Sequence, residues 1–238
     1  AALLRAANRV MTLGALALVV AASILFSTGC SESRDQPNIV VILADDVGTG
    51  DLSVYNPDSL VRTPNIDSIA EAGVLFTDAH SPSSVCAPTR YSLLSGNYPW
   101  RGSNAWGAWT FTQGSAFRPD QISLAQLLKA NGYQTAMFGK VHLGAEPAYK
   151  EGIAAEAVNW GTSFTELEIG QPLRGGPKDL GFDYSFTAQS GIQGPPFVFF
   201  ENDSLVAPES ELIHFSPGEY PSETGVSVIP RIKKNWTP

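Results

Sequence analysis

The chain has 238 residues, 43% of them hydrophobic, and a formal net charge of -8. That is enough for one sizeable α/β domain but does not clearly supply two. An acidic body disfavours nucleic acid and other polyanions in bulk, so an anionic substrate has to be held by a few local cations.

The first thirty residues differ in kind from the rest. Arg5 and Arg9 precede an uncharged run from Val10 to Ser31, a positive n-region and an apolar h-region that set residues 1–29 apart as a signal peptide. Small residues then lead into Cys30 in "FSTGC", which resembles a bacterial lipoprotein signal. That resemblance implies a lipid on Cys30, membrane attachment and a periplasmic or cell-surface location. The alternative is an uncleaved anchor helix, since the run is about long enough to span a bilayer. Both readings put the remainder outside the cytoplasm. Two cysteines in an exported chain ordinarily form a disulfide, but Cys30 sits at a processing site, which leaves Cys86 to be explained. Residues 30–37 read as a linker and 38–238 as one domain. The chain opens on Ala1 and stops at Pro238, and it is expected to be the N-terminal part of a longer protein.

"NIVVILA", Asn38 to Ala44, is a continuous β-branched run, the pattern of a strand buried on both faces. A Gly- and Asp-rich loop follows. "TPNIDSIAEAG" has proline at a helix start and Gly73 at its end. "VLFTDA", from Val74 to Ala79, predicts a second strand, and "SPSSVCAP" a loop into a helix from about Ala87 to Ser95. "SLAQLLKANG" has Ser123 at the N-cap position and Gly132 at the C-cap. "YQTAMFG" predicts a third strand. Strands alternating with helices predict an α/β fold with an open, mainly parallel sheet flanked by helices. After Ala145, Gly and Pro accumulate and only "PFVFFE" offers a good strand.

Three places can carry chemistry. Asp45 and Asp46 close the first predicted strand, where ligands of open α/β sheets bind. Adjacent carboxylates suit a hard cation, Ca²⁺ or Mg²⁺, or else a solvated turn. Cys86 precedes a helix start, and Arg90 lies one turn further on, so both can face one ligand. That suits a nucleophile attacking an oxyanion ester, or else a buried cysteine beside a surface arginine. Lys140 and His142, two apart at the end of the third strand, can point into one site, or else be a solvated lysine and a turn-capping histidine. His80 and His214 lack such a context.

"CAPTRYSLLSG" resembles the signature of the formylglycine-dependent type I sulfatases, in the alkaline phosphatase superfamily. "PNIVVILADDVGTGDLSVY" is similar to that family's opening strand and metal-binding Asp pair. "YQTAMFGKVHLG" resembles its Gly-Lys-Trp-His-Leu-Gly segment, with Val141 in place of Trp. The resemblance is strong from Pro37 to Gly144 and weaker at "GFDYSF" and "PPFVFFEND".

The resemblance implies hydrolysis of sulfate monoesters, those of sulfated glycans among them, after a formylglycine-generating enzyme has oxidised Cys86 to Cα-formylglycine. Its hydrate would attack sulfur and pass through a sulfated enzyme. Asp45, Asp46 and the modified Cys86 would bind Ca²⁺, Arg90 and Lys140 would hold the diol and the sulfate, and His142 would be the base of sulfate release. Ser190, in "TAQSG", would correspond to a serine near the substrate. No segment after Gly144 matches the family's downstream Asp-Asn pair, His or Lys. The alternatives are a phosphoester or phosphonate hydrolase of the same superfamily, and a non-catalytic sulfoglycan-binding lipoprotein.

Overall fold

The computed structural model describes residues 36–153, 166–190 and 197–207, together with two short strands at 212–214 and 228–230. The expected signal segment and Cys30 lie outside the described residues. These fall into two units, one ending at Ala44 and one beginning at Asp45. Among the described residues, no helix is long and apolar enough to cross a membrane.

Three helices form where the sequence places them. Helix α1 (Pro64–Ala72) starts on its proline, and Thr63 and Ser53 bind the Asp67 carboxylate at its first turn. Helix α2 (Cys86–Ser95) ends at Gly96, whose φ of 66° is the left-handed conformation that glycine adopts without a Cβ clash. Helix α3 (Leu124–Ala130) opens on a capping box: Ser123 Oγ accepts from Gln126 N, and Gln126 Oε1 accepts from Ser123 N. Asn131 holds the C-cap and Gly132, at φ 85°, follows it.

Strand β1 (Ala136–Lys140) is the third predicted strand. It runs parallel to β2 (Tyr184–Ala188), with Ala136 opposite Tyr184 and Lys140 opposite Ala188. The Asp183 carboxylate fixes this register by accepting from Thr135 N and from Lys129 Nζ on α3. Strands β3 (Phe200–Glu201) and β4 (Ser204–Leu205) extend the sheet in antiparallel fashion, in the order β1-β2-β3-β4. "PFVFFE" therefore contributes two strand residues. The α/β class stands, and the described sheet is mixed. Strands β5 (Leu212–His214) and β6 (Val228–Pro230) form a separate antiparallel pair.

Two predicted strands are absent. No strand is assigned over Asn38–Ala44, where Val40 and Ile42 are more than 80% exposed, or over Val74–Ala79, where Val74 and Phe76 are also exposed. A β-branched run becomes a strand only when a neighbour pairs with its backbone, and no ladder reaches either segment.

One core cluster lies under α2 and the end of β1, built from Ala87, Tyr91, Trp109, Val141 and Leu143. Tyr91 and Trp109 rings meet at 5.1 Å. Past β1 the chain is held by backbone bonds: Ala116 N donates to Leu143 O and Gly114 N to Ala145 O. Between them Gly144 has φ 69°, and a Cβ there would stand 1.7 Å from Gly114 O. Gly144→Ala is therefore expected to destabilise the protein by on the order of 3–5 kcal/mol. This is read as a lower urea midpoint; an unchanged midpoint would contradict the packing described.

Candidate active site

Five side chains from three separate segments, Asp45, Cys86 with Arg90, and Lys140 with His142, meet at the start of α2 and the end of β1. Cys86 occupies the first turn of α2 and is partly buried. Its Sγ lies 3.1 Å from Nδ1 of His142. His142 is aimed by an uncommon backbone, φ 52°, fixed where its N–H donates to Gln189 O at 2.7 Å. Val141 beside it is fully buried in the core cluster. The departure from Trp thus alters packing and leaves the two flanking polar groups in place.

Arg90, one turn beyond Cys86, is buried. Its Nη1 donates to Lys140 O at 2.7 Å and its Nη2 lies 3.6 Å from Asp45 Oδ2. Its Nε is buried and has no hydrogen-bond partner among the described residues. A buried charged donor in that state is costly. Lys140 Nζ donates to Asp45 Oδ2 at 2.8 Å, with little of the lysine side chain exposed.

The charges act on one another. The hydrogen bond from Lys140 is the main reason the Asp45 carboxyl sits below its ordinary pKa, with the charges of Lys140, Arg90 and His142 adding to it against burial. His142 is pushed down from 6.5 to about 4, first by burial, then by the Lys140 and Arg90 charges, with Asp45 opposing. At neutral pH the imidazole is therefore uncharged, able to accept a proton from a group at the Sγ position. The site combines a neutral base, two cations and one ionised carboxylate around a single side chain.

Of the predicted site residues, the structure joins Asp45, Cys86, Arg90, Lys140 and His142. Asp46 follows Asp45 with φ 62°, is exposed, and makes no hydrogen bond to a described residue. Ser190 is buried next to Gln189, whose carbonyl holds the His142 backbone. Lys140 and Asp45, expected on the sulfate and on the metal respectively, are here bonded to each other. Sequence reasoning missed Gln189 and Gly114 as supports of the His142 segment, because backbone hydrogen bonds leave no mark in residue type. Among the described residues, His80 pairs with Asp78.

As a donor set for a hard divalent cation, Asp45 and Asp46 fit in kind: both offer carboxylate oxygen, and Asp45 is held ionised. They fall short in number. Ca²⁺ takes six to eight oxygens, and no group of three or more His, Cys, Asp or Glu side chains gathers among the described residues.

Comparison with known proteins converges on one family. A family model described as Sulfatase matches residues 37–215. The chain is 31% identical over 235 aligned positions to an N-acetylgalactosamine-6-O-sulfatase of Bacteroides thetaiotaomicron, covering 86% of this chain and 42% of that protein. It is 37% identical over 163 positions to the steryl-sulfatase of Homo sapiens, covering 64% of this chain and 28% of that one. For arylsulfatase A of Homo sapiens the figures are 42% over 111 positions, 47% and 22%. A solved sulfatase structure from work on the metabolism of multiple glycosaminoglycans by Bacteroides thetaiotaomicron superposes with a TM-score of 0.59 at 32% identity, over 79% of this chain and 35% of that one. The chain thus spans less than half the length of these relatives. With the signature helix, the Lys-x-His segment and the Asp pair in family order, and the family model matching most of its length, the chain belongs to the sulfatase family.

Proposed function

We propose that the protein containing this chain hydrolyses sulfate monoesters, with residue 86 as nucleophile after oxidation of its cysteine to Cα-formylglycine. The observation that carries this reading is the 3.1 Å contact between Cys86 Sγ and His142 Nδ1, flanked by Arg90 and Lys140. Sγ stands where an oxygen of the oxidised side chain would stand. Cys-Ala-Pro-Thr-Arg, the run a formylglycine-generating enzyme reads in the family, is intact here. Once oxidised and hydrated, residue 86 supplies two geminal hydroxyls, one to take up the sulfate group and one whose deprotonation releases it.

The chain's own residues do the rest. Arg90 offers its guanidinium to an oxygen of the ester, and a charge-assisted bond there is stronger than a neutral one. Lys140 adds a second positive charge on the same side, so that negative charge growing on the sulfate oxygens meets preorganised cations. His142, uncharged at neutral pH, removes the proton from the second hydroxyl. Asp45 orients Lys140 and, with Asp46, would hold Ca²⁺, a cation that lowers a bound hydroxyl's pKa and steadies sulfate charge. Ser190, buried beside Gln189, would be the positioning residue near the substrate that the family resemblance implies.

Two of the relatives are named for, or come from work on, glycans carrying amino sugars. That supports a sulfated glycan as substrate, ahead of small aryl sulfates. The N-terminal pattern supports export, with a lipid on Cys30 holding the protein at the membrane. No observation favours the non-catalytic reading, because Cys86, Arg90, Lys140 and His142 are all present and all but Arg90's Nε are engaged with one another or with their supports.

The experiment is a substrate panel on the full-length protein, produced with a formylglycine-generating enzyme and Ca²⁺. Sulfate monoesters are expected to be turned over at least ~10²-fold faster than matched phosphate monoesters, since Arg90 and Lys140 less the ionised Asp45 leave one net positive charge, which balances a singly charged ester better than a doubly charged one. Preference for the phosphorus esters would sink the sulfatase reading in favour of a phosphohydrolase of the same superfamily.

A further inference from the structure

We propose that a polar cleft opening just past His142 seats a neutral pyranose ring of a sulfated glycan, with Arg174, Glu146 and Trp106 as its specificity residues. The proposal rests on the sulfatase reading above and names the substrate class for that site. The cleft holds about 640 Å³, and its lining includes Asn104, Gln113, Glu146, Tyr149 and Arg174. It does not include Cys86 or His142; it begins at Ala145, three residues further along the same chain. Three residues span at most about 11 Å, so one glycan can place a sulfate at residue 86 and a sugar ring in the cleft.

The lining is unusual in what it leaves unsatisfied. Glu146 and Arg174 are paired across an antiparallel bridge, Glu146 N donating to Arg174 O at 2.8 Å. Their side chains rise from facing positions with opposite charge, yet form no ion pair with each other or with any other described residue. Gln113 Oε1 accepts from Thr110 N, which leaves its Nε2 available to a ligand. Burial raises the pKa of Tyr149, so its phenol stays a neutral donor. One cleft therefore offers an acceptor carboxylate and donors from guanidinium, amide and phenol. A sugar ring has hydroxyls that both donate and accept, and it matches such a set. A uronate or second sulfate would meet Glu146 as well as Arg174, which disfavours it.

Trp106 supplies the apolar part. Asn104, in the lining, spends its side chain on a tight loop: its Oδ1 accepts from Trp106 N and its Nδ2 donates to Ala108 O. That loop lifts Trp106 into solvent, 92% exposed and two residues from the cleft wall. Leaving an indole in water forfeits one of the largest burial gains a side chain can make. The C–H face of a pyranose ring is a partner that recovers it while its hydroxyls stay with the polar wall.

The test has two arms. In the first, full-length protein matured with formylglycine-generating enzyme and Ca²⁺ is assayed on a 6-sulfated N-acetylgalactosamine glycoside and on 4-nitrophenyl sulfate. In Arg174→Ala and in Trp106→Ala, the sugar-to-aryl ratio of kcat/KM is expected to fall roughly tenfold or more, through KM. In the second, the same glycoside is titrated calorimetrically into full-length Cys86→Ala protein, which cannot turn it over. Adding Arg174→Ala is expected to weaken binding by a similar factor, about tenfold. Arg174→Lys, which keeps the charge and loses the planar fork, gives the same direction if the alanine variant does not fold. An unchanged ratio with unchanged affinity, or no binding of the glycoside to the Cys86→Ala protein, would overturn the proposal. Absence of turnover on every sulfate ester by wild type would count against the sulfatase reading alone, because the binding arm still decides the cleft.

Discussion

Replacing Cys86 with alanine in the full-length protein is expected to lower sulfate-ester turnover by roughly 10⁴–10⁶-fold, the range seen when a nucleophile is removed from an intact site. The reason is geometric. Cys86 is the side chain at which the base His142 and the first turn of α2 meet, while Arg90 and Lys140 flank it through their link to Asp45. Alanine leaves those groups in place, so the fold and sulfate binding survive while the acceptor of the sulfate is gone. Cys86→Ser is expected to remain nearly as impaired, because a single hydroxyl takes up sulfate but has no second hydroxyl to expel it. Steady-state assays of both variants, with folding checked by thermal unfolding, measure this. Activity of Cys86→Ala within about tenfold of wild type would mean that the nucleophile lies elsewhere.

His142→Ala is expected to slow steady-state turnover by roughly 10²–10⁴-fold, the contribution of a positioned base. The first turnover should survive better than later ones, so a burst of released alcohol is expected ahead of a slow steady state. Equal burst behaviour in wild type and His142→Ala would argue against a role in sulfate release. The pH profile follows from the same residue. Free His142, with its pKa pushed down to about 4, is already the competent neutral base well below neutrality. Because sulfate release follows the loss of the alcohol, His142 governs the acid limb of kcat and not that of kcat/KM, and the limb starts from a value depressed below that of an ordinary histidine. A bound anionic ester favours the imidazolium and moves the limb of kcat upward. For stability the sign is that of a depressed group: the unfolded chain takes up a proton below about 6.5 and the folded one only near 4. The stabilisation is thus fully present above about 6.5 and is lost as pH falls through about 4.

The local parts of this structure were legible in the sequence. Ser123 with Gln126, Pro64 and Gly96 fix helix ends through bonds made within a few residues, so residue type alone announces them. The candidate site was legible for a related reason: Cys86 with Arg90, and Lys140 with His142, are each set by the pitch of one element. Interactions between distant segments were not. Lys140 and Asp45 are 95 residues apart, and nothing in either motif says that the lysine will hold the carboxylate. Asn38–Ala44 and Val74–Ala79 carry strand composition, but strand formation depends on a paired neighbour rather than on the segment itself. The cleft was invisible for the opposite reason. Glu146, Tyr149 and Arg174 lie in Gly- and Pro-bearing chain without helical or strand period, and only the bridge between Glu146 and Arg174 brings them together.

The proposed chemistry depends most directly on the chemical state of residue 86. Full-length protein made alongside an active formylglycine-generating enzyme, digested and examined by peptide mass spectrometry across Ser84 to Arg90, reads that state without any assay of activity. The expected peptide has lost sulfur and two hydrogens and gained one oxygen at residue 86, with an aldehyde that reacts with hydrazide reagents. Only the unmodified thiol at Cys86, in the presence of an enzyme shown to modify a control substrate, would contradict it.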